Sequence, residues 1–596
     1  MMDNNERQSS LNNTLCGRLL VEELVRCGVM DFVIAPGSRS TPIVEAIVRH
    51  PVATLHVVVD ERSAAFFALG YGRRQRTPAV MVTTSGSAIG HALPAIMEAD
   101  QSDVPMIVIS ADRPVELRHS GANQTYEQVG IFSGRVRWQL DLPCPTQYTV
   151  FEPLLMSIGQ AVANSAHGPV HLNMQFRKPL GPVDIDDLAA LCLSVDQGVF
   201  DRPAMARWLD TQEPFCRWYP SARAALLRGN TDVSEVLALA QRGMLLIGGL
   251  DDDEGRAKAH ELAMTLGWPV WADITSGLRG TLDGAHLGLL DAALSGSDGL
   301  WSETPDVVLR VGGTIVSERV QRWASTASRA MVAVTPRGRR HDPFHGVTHQ
   351  VATSLTDFGT ILSSRQLNTH LSSGWTRLCE RLRGHGLDVK ASIVEHGGTD
   401  SRVALRLFEE LPSEVAIWVA SSMPIRLLDT FGFEPRVARD LTASRGVSGI
   451  DGMFAQAVGW AQARQLPVVL LLGDLAALHD LGSLSLLKLP GPPVVAVVIN
   501  NGGGGIFSML PIREHSQDFE AAFAAAHPHS LASSGALVDL PCFSCQTDQE
   551  VFDQTYESLQ QGQSALIEIR TDRQDDSDKY VQMLQRAAVL GATLKS

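Results

Sequence analysis

Two apolar runs near the C-terminus constrain this chain more than any other feature. Pro467-Val-Val-Leu-Leu-Leu ends in Gly473-Asp474-Leu475, and Pro493-Val-Val-Ala-Val-Val-Ile ends in Asn500-Asn501-Gly502-Gly503. Continuous Val- and Leu-rich runs bounded by Gly and Pro read as strands buried on both faces, as in a parallel sheet. Parallel strands need crossover connections, usually helices, so the surrounding fold is α/β. Asp474 and Asn501 then stand at the carboxyl ends of two strands, where open α/β sheets bind ligands. Either residue alone reads better as a turn or helix-cap residue. Together, after two buried strands, they point to a divalent cation that also holds a diphosphate, because a carboxylate and an amide oxygen are hard ligands suited to Mg²⁺.

The rest of the chain repeats the strand–helix rhythm. At 596 residues it exceeds one hydrophobic core, and two to four domains are expected. Over 15–180, strands are expected at 31–35, 55–59, 79–83 and 106–110. A helix is expected to start with Thr41 as N-cap and Pro42 in the first turn, another to run over 62–73, and a third to open after Thr84-Ser85-Gly86-Ser87. Residues 181–215, with Asp184-Ile-Asp-Asp187 and Gln212-Glu-Pro214, read as a solvated linker. A second α/β unit has strand patterns from Met244, Trp268, Val307 and Met331; 365–395 reads as a connecting helix, and a third unit starts near Ser401. The expectation is three α/β domains with mainly parallel sheets flanked by helices, at 1–183, 216–365 and 396–596.

A net charge of −15 argues against a nucleic-acid or anionic-membrane surface, so any anionic ligand must be met by local arginines. No apolar stretch approaches the ~20 residues of a membrane span. The N-terminus is polar and lacks a signal-peptide core, which makes a cytoplasmic setting the expectation. Of eight cysteines, Cys542 and Cys545 form the one CxxC; without a second pair they read as reduced thiols near a strand rather than a zinc site.

Asp60-Glu61-Arg62-Ser63 follows a strand and enters an apolar helix, so Glu61 faces burial. One reading is a first-turn carboxylate stabilised by the helix dipole. The other is a functional carboxyl whose pKa burial raises.

The Asp474/Asn501 arrangement resembles the diphosphate-anchoring motif of thiamine-diphosphate enzymes, with Leu475 in place of that motif's second Gly. Further segments are similar to one branch, the menaquinone-pathway 2-succinyl-5-enolpyruvyl-6-hydroxy-3-cyclohexene-1-carboxylate synthases. They are Ala35-Pro-Gly-Ser-Arg-Ser-Thr-Pro, Asp60-Glu-Arg-Ser-Ala, Thr84-Ser-Gly-Ser-Ala, Ala111-Asp-Arg-Pro-Val-Glu-Leu, Gly121-Ala-Asn-Gln, Ser444-Arg-Gly-Val-Ser-Gly-Ile-Asp-Gly and Ile506-Phe-Ser-Met-Leu-Pro.

The resemblance implies a thiamine-diphosphate-enzyme architecture and a transferase that uses thiamine diphosphate with Mg²⁺ or Mn²⁺. It implies decarboxylation of 2-oxoglutarate and 1,4-addition of the resulting carbanion to isochorismate. It implies Glu61 as the catalytic carboxyl that activates the cofactor's aminopyrimidine, and Asp474, Asn501 and Gly503 as metal and diphosphate ligands. Ile450, Ile506 and Phe507 would pack around the cofactor. Ser38, Arg39, Arg113, Asn123, Gln124, Arg319, Ser422, Arg426 and Arg445 would contact substrate. Arg39, Arg113, Arg426 and Arg445 are read as loop residues beside small neighbours, where a fork can reach a carboxylate. The first domain would bind the pyrimidine and the third the diphosphate, from different subunits, in a homodimer or homotetramer.

The chain departs from the family at Glu318-Arg319, where the family often has Lys-Arg, and at Gly502-Gly-Gly-Gly505, four glycines that favour a mobile loop. Other thiamine-dependent 2-oxoacid decarboxylases, acetolactate-type synthases and a non-catalytic homologue stay open as alternatives. A flavin in the second domain has only the partial Gly-rich turn Gly248-Gly249-Leu250-Asp251 to recommend it.

Overall fold

The computed structural model describes residues 4–75, 77–195, 202–218, 231–282, 285–296, 303–336, 339–363, 371–432 and 438–593. These form three parallel sheets flanked by helices. The first holds β1 (Asp31–Ile34), β2 (Thr54–Val57), β3 (Ala79–Thr83), β4 (Met106–Asp112), β5 (Trp138–Leu142) and β6 (Pro169–Gln175), in the order β2-β1-β3-β4-β6-β5. The second holds β7 (Gly243–Ile247), β8 (Val270–Ala272), β9 (Val307–Val311), β10 (Ala330–Thr335) and β11 (His349–Ala352), in the order β11-β10-β9-β7-β8. The third holds β12 (Ala416–Val419), β13 (Leu441–Thr442), β14 (Val468–Gly473), β15 (Val494–Asn500), β16 (Cys542–Cys545) and β17 (Ala565–Arg570), in the order β13-β12-β14-β15-β17-β16. The continuous apolar runs are the central strands: β3, β4, β6 and β15 are buried throughout. Edge strands β2 and β5 are half exposed.

The first and third sheets share one strand order, and each reverses direction between its first and third strands in sequence. Ligand crevices open at such switch points. In the first sheet the switch point lies beyond the ends of β1 and β3, at Gly37–Arg39 and Thr84–Gly86. In the third it lies beyond β12 and β14, at Ser421–Ser422 and Asp474. In the second sheet the corresponding position, between β7 and β9, is closed by main chain. Gly248 N–H donates to Val311, Gly249 N–H to Thr314 and Gly313 N–H to Gly249, at 2.9, 3.0 and 2.9 Å. A Cβ at Gly248 would fall 2.3 Å from the Gly313 oxygen. Backbone occupies the crevice that a dinucleotide would need.

Contacts divide the chain into two compact units. One comprises the described residues within 1–221 with Phe454–Arg464 and Gly482–Leu486; the other comprises the remainder, with the second and third sheets sharing a core from Met244 to Ala587. In the first unit, the helix Glu61–Gln75 crosses residues 454–464 at two glycines: a Cβ at Gly70 would meet the Gln456 oxygen at 2.1 Å, and one at Gly459 the Phe67 oxygen at 2.2 Å.

Local details differ from the sequence expectations. Ser40, not Thr41, is the N-cap of the helix Thr41–Arg49. After β3 the chain forms a 3-10 turn, Gly86–Ala92, and the α-helix starts only at Leu93, with Pro94 in its first turn. The stretch read as a solvated linker carries the helices Leu188–Val195 and Pro203–Asp210, whose Leu191, Cys192, Met205 and Trp208 join the first unit's core. Trp208 Nε1 donates to the buried Glu23 carboxylate at 2.7 Å. Residues 364–370 of the expected connecting helix lie outside the described residues; its remainder is the helix Ser373–His396.

Two buried carboxyls meet where the helices Thr399–Glu410 and Arg573–Thr593 begin. Asp400 and Asp576 are 5% and 3% exposed, and the Asp400 amide points at Asp576 Oδ1, 3.4 Å away. Burial, then the charge of Asp576, pushes the Asp400 carboxyl up to about 7. A folded-state pKa above the unfolded value means that the pair stabilises fully below about pH 4 and loses that contribution as pH rises through 7. Asp400→Asn keeps an acceptor for Ser401. It is expected to raise the melting temperature by several degrees at pH 8 and hardly at pH 4; equal shifts at both would contradict a carboxyl held neutral by burial.

Candidate active site

The first unit supplies two buried cations and a helix-start carboxylate. Arg39 lies in the short 3-10 turn Ser38–Ser40, which packs so closely on β3's end that a Cβ at Gly37 would fall 2.3 Å from Thr84 Cβ. The Arg39 amide donates to Thr84 Oγ1 at 3.2 Å and its Nη1 to the Phe176 carbonyl at 2.7 Å, while its Nε is buried without a partner among the described residues. Burial, then Arg113, pulls its pKa down to about 10. Arg113 donates to Ser85 Oγ and, at 2.7 Å, to the Asn123 carbonyl, so one guanidinium joins the turns at 84–86 and 121–124. Burial lowers its pKa as well. Gln124, at φ +53°, reaches the Ser85 carbonyl with its amide at 2.9 Å; Ser38 and Asn123 present exposed side chains. Neither Arg39 (5% exposed) nor Arg113 (8%) is a solvated surface side chain.

Glu61 opens the helix Glu61–Gln75 after an Asx turn in which Asp60 accepts from the Arg62 amide and Ser63. The sequence led us to expect a buried carboxyl. Glu61 is half-buried, because it occupies the first turn while the inward face begins at Ser63. Among the described residues no hydrogen bond or ion pair engages its carboxylate.

In the second unit, Asp474 follows β14 directly and is 2% exposed. Its Oδ1 accepts from the Leu475 amide at 2.7 Å and its Oδ2 from the Gly503 amide at 2.8 Å, leaving each oxygen a further lone pair. Burial raises its pKa, against the pull of these amides and of His527, whose Nε2 stands 3.3 Å from Oδ2. Gly503 sits at φ +147°, where a Cβ would strike the Ala524 oxygen at 2.5 Å, so only glycine fits this approach. The glycine-rich loop is tied down in this state: Gly504 N–H donates to Ala524 at 2.7 Å and His527 N–H to Gly502 at 3.1 Å.

The adjacent asparagines have different surroundings. Asn500 points into the fold, where its amide donates to the buried Glu568 at 2.5 Å and to the His529 carbonyl at 2.9 Å. Asn501 Oδ1 is buried with no hydrogen-bond partner among the described residues, a rare condition for a polar atom. Among the described residues no group of three His, Cys, Asp or Glu side chains gathers to hold a metal. A cation here must therefore draw on a carboxylate, an amide oxygen, a peptide carbonyl and oxygens of a ligand. That donor set fits Mg²⁺ or Mn²⁺ with a diphosphate. Ile450, Ile506 and Phe507 are half-buried, and Phe507 covers Gly504.

The remaining arginines divide by partner. Arg426 lies in the helix Met423–Phe431 rather than in a loop, donating to the Ser422 carbonyl at 2.7 Å. Ser422, the N-cap, is held at φ +74°, a conformation rare outside glycine. Burial and then Arg445 lower the Arg426 pKa. Among the described residues, Arg445 reaches only Ser421 Oγ, at 3.5 Å, and keeps a buried Nε without partner. Arg319 is different: its Nε and Nη2 fork onto Asp291 at 3.1 and 2.5 Å, so the fork expected for substrate is occupied. Its neighbour Glu318 faces solvent and pairs with Arg322.

A family model described as "Thiamine pyrophosphate enzyme, N-terminal TPP binding domain" matches residues 16–131, and one described as "Middle domain of thiamine pyrophosphate" matches 202–419. Relatives named 2-succinyl-5-enolpyruvyl-6-hydroxy-3-cyclohexene-1-carboxylate synthase align almost end to end. The one from Salinibacter ruber is 40% identical over 93% of both chains. The one from Rubrobacter xylanophilus is 40% identical over 97% of this chain and 98% of its own. The one from Chlorobaculum parvum is 36% identical over 94% of both. The chain belongs to this synthase family.

For a member of this synthase family, several supporting residues escaped the sequence reading. His527 beside Asp474, Asp291 on Arg319 and Gln128, which accepts from the Gly86 amide at 3.0 Å, are remote in sequence from what they hold and carry no local motif. The two asparagines give a direct test. Asn501→Leu is expected to weaken Mg²⁺-dependent thiamine-diphosphate binding at least tenfold by calorimetry with little change in melting temperature. Asn500→Ala strips a donor from buried Glu568 and should cost about 1–3 kcal/mol of stability. The reverse pattern would exchange their roles.

Proposed function

We propose that this chain decarboxylates 2-oxoglutarate and joins the remaining four carbons to isochorismate by 1,4-addition, giving 2-succinyl-5-enolpyruvyl-6-hydroxy-3-cyclohexene-1-carboxylate in menaquinone biosynthesis. The end-to-end similarity to synthases of that name supports this most. Asp474, Asn501 and the Gly503 carbonyl would hold Mg²⁺ or Mn²⁺ and the diphosphate; the orphan Asn501 oxygen supports that placement. Glu61 would hold the aminopyrimidine, and Ile450, Ile506 and Phe507 would line the cofactor's apolar side. When bound, thiamine diphosphate supplies the nucleophilic carbon and electron sink that loss of carbon dioxide from a 2-oxoacid requires.

The chain's own residues bind and orient the polyanions. Desolvated guanidiniums with unused N–H groups are strong carboxylate seats. Arg39 and Arg445 each keep a buried Nε for this purpose, and Arg113 and Arg426 each stand fixed by a main-chain carbonyl. Ser38, Asn123, Gln124 and Ser422 add neutral contacts. Phe507, Ile506 and Ile450 help exclude water from the reacting carbon, so that addition outcompetes protonation. We assign a three-domain division at 1–183, 216–365 and 396–596, a cytoplasmic setting and a homodimer or homotetramer. Free cysteines fit the setting, and exposed Val59, Tyr126 and Tyr148 on the first unit fit the assembly. Among the described residues no helix is long and apolar enough to cross a membrane.

The test is a reaction of the purified protein with 2-oxoglutarate and isochorismate, followed by product mass and released carbon dioxide. One equivalent of each is expected, with Glu61→Gln at least a hundredfold slower though folded. Carbon dioxide released without the adduct would favour a simple decarboxylase.

A further inference from the structure

A cavity of about 590 Å³ lies within the second unit, and most charges on its wall are internally neutralised. Arg319 is forked onto Asp291, Arg322 pairs with Glu318 at 2.5 Å, and Asp429 pairs with Arg279 at 2.6 Å. Arg426 is the lining cation with no carboxylate partner among the described residues. Its guanidinium is therefore the charge on this wall left free to meet an anion.

Tyr580 lies on the same wall. Arg319 is nearby, but its Nε and Nη2 are spent on Asp291. Thr430 Oγ1 is 3.4 Å from the Tyr580 hydroxyl, but its own proton goes to Asp291 Oδ2 at 2.8 Å, the shorter bond to a charged acceptor. The Tyr580 hydrogen is left with a contact too long to count as a good O–H···O bond. A donor with unused capacity thus stands on the wall that also holds the unpaired cation.

We propose that Tyr580 and Arg426 together seat one carboxylate of a dicarboxylate substrate, while Asp291 acts as a positioning residue that holds Arg319 away from the ligand. This deepens the proposed function and rests on its assignment of a polyanionic substrate. It replaces the expected Arg319–substrate fork with a hydroxyl contact from the C-terminal helix.

Glutarate, an unreactive dicarboxylate, is the probe, titrated calorimetrically into the full-length protein with Mg²⁺ and thiamine diphosphate present. Tyr580→Phe is expected to weaken glutarate binding roughly tenfold, the loss of one hydrogen bond to a charged group, with thiamine-diphosphate affinity unchanged. Asp291→Asn releases Arg319 toward the ligand and should bind glutarate at least as tightly as the unaltered protein, a direction that a merely structural role would not give. Glutarate affinity within about twofold in Tyr580→Phe, or no binding to the unaltered protein, overturns the proposal. If Asp291→Asn does not fold, Tyr580→Phe decides alone. Failure of the functional reading is distinct: glutarate binds, but 2-oxoglutarate and isochorismate give no adduct.

Discussion

The hydrogen bond from the Gly503 amide to the Asp474 carboxylate fixes the third sheet's ligand edge. It spans 2.8 Å and joins the ends of two adjacent strands held together by their parallel ladder and by burial of their apolar residues. Asp474 keeps its position because β14 cannot shift without exposing a fully apolar run. Gly503 can reach it because no side chain occupies φ +147° beside Ala524. With that bond in place, the Asn501 oxygen is left buried and unpartnered near a carboxylate whose own ionisation burial opposes. Both features cost free energy in the empty protein. A divalent cation would relieve both, since it would satisfy the amide oxygen and stabilise the charged carboxylate.

The same logic governs the arginines. A chain carrying −15 net charge repels polyanions at long range, so recognition must be local. The structure buries Arg39 and Arg113 and half-buries Arg426, where solvent screens them less, and it pins each with main-chain carbonyls or hydroxyls rather than carboxylates. Where a carboxylate does appear, as with Asp291 on Arg319 or Asp112 and Asp141 on Arg118, the cation is locked as scaffolding. The partner of an arginine thus separates a cation available to a ligand from one that holds the fold.

Much of this was readable in the sequence, for physical reasons. The strands β14 and β15 were legible because doubly buried parallel strands have no alternation to disguise them, and Asp474 and Asn501 follow from where those strands end. The Glu61 helix start was legible because the segment follows a strand and enters an apolar helix. What the sequence hid was long-range or cooperative. Nothing local distinguishes Asn500 from Asn501; the difference arises because Glu568, on the neighbouring strand, captures one of them. The polar residues of 181–215 read as solvated, yet Trp208 and Leu191 find an apolar surface that only the folded first unit provides. Arg426 reads as a loop residue because of its small neighbours, whereas Ser422 and Pro424 start a helix that contains it. The Asp291–Arg319 clasp depends on residues 28 positions apart and has no signature at all.

The central claim is that Asp474 and Asn501 bind one divalent cation together with a diphosphate. Electron paramagnetic resonance of the protein loaded with Mn²⁺ and thiamine diphosphate measures this directly, through phosphorus hyperfine coupling at the metal. The account predicts one bound Mn²⁺ with phosphorus coupling in the unaltered protein, and loss of that coupled signal in Asp474→Ala. Phosphorus coupling that persists in Asp474→Ala, or bound Mn²⁺ that never couples to phosphorus, would contradict it.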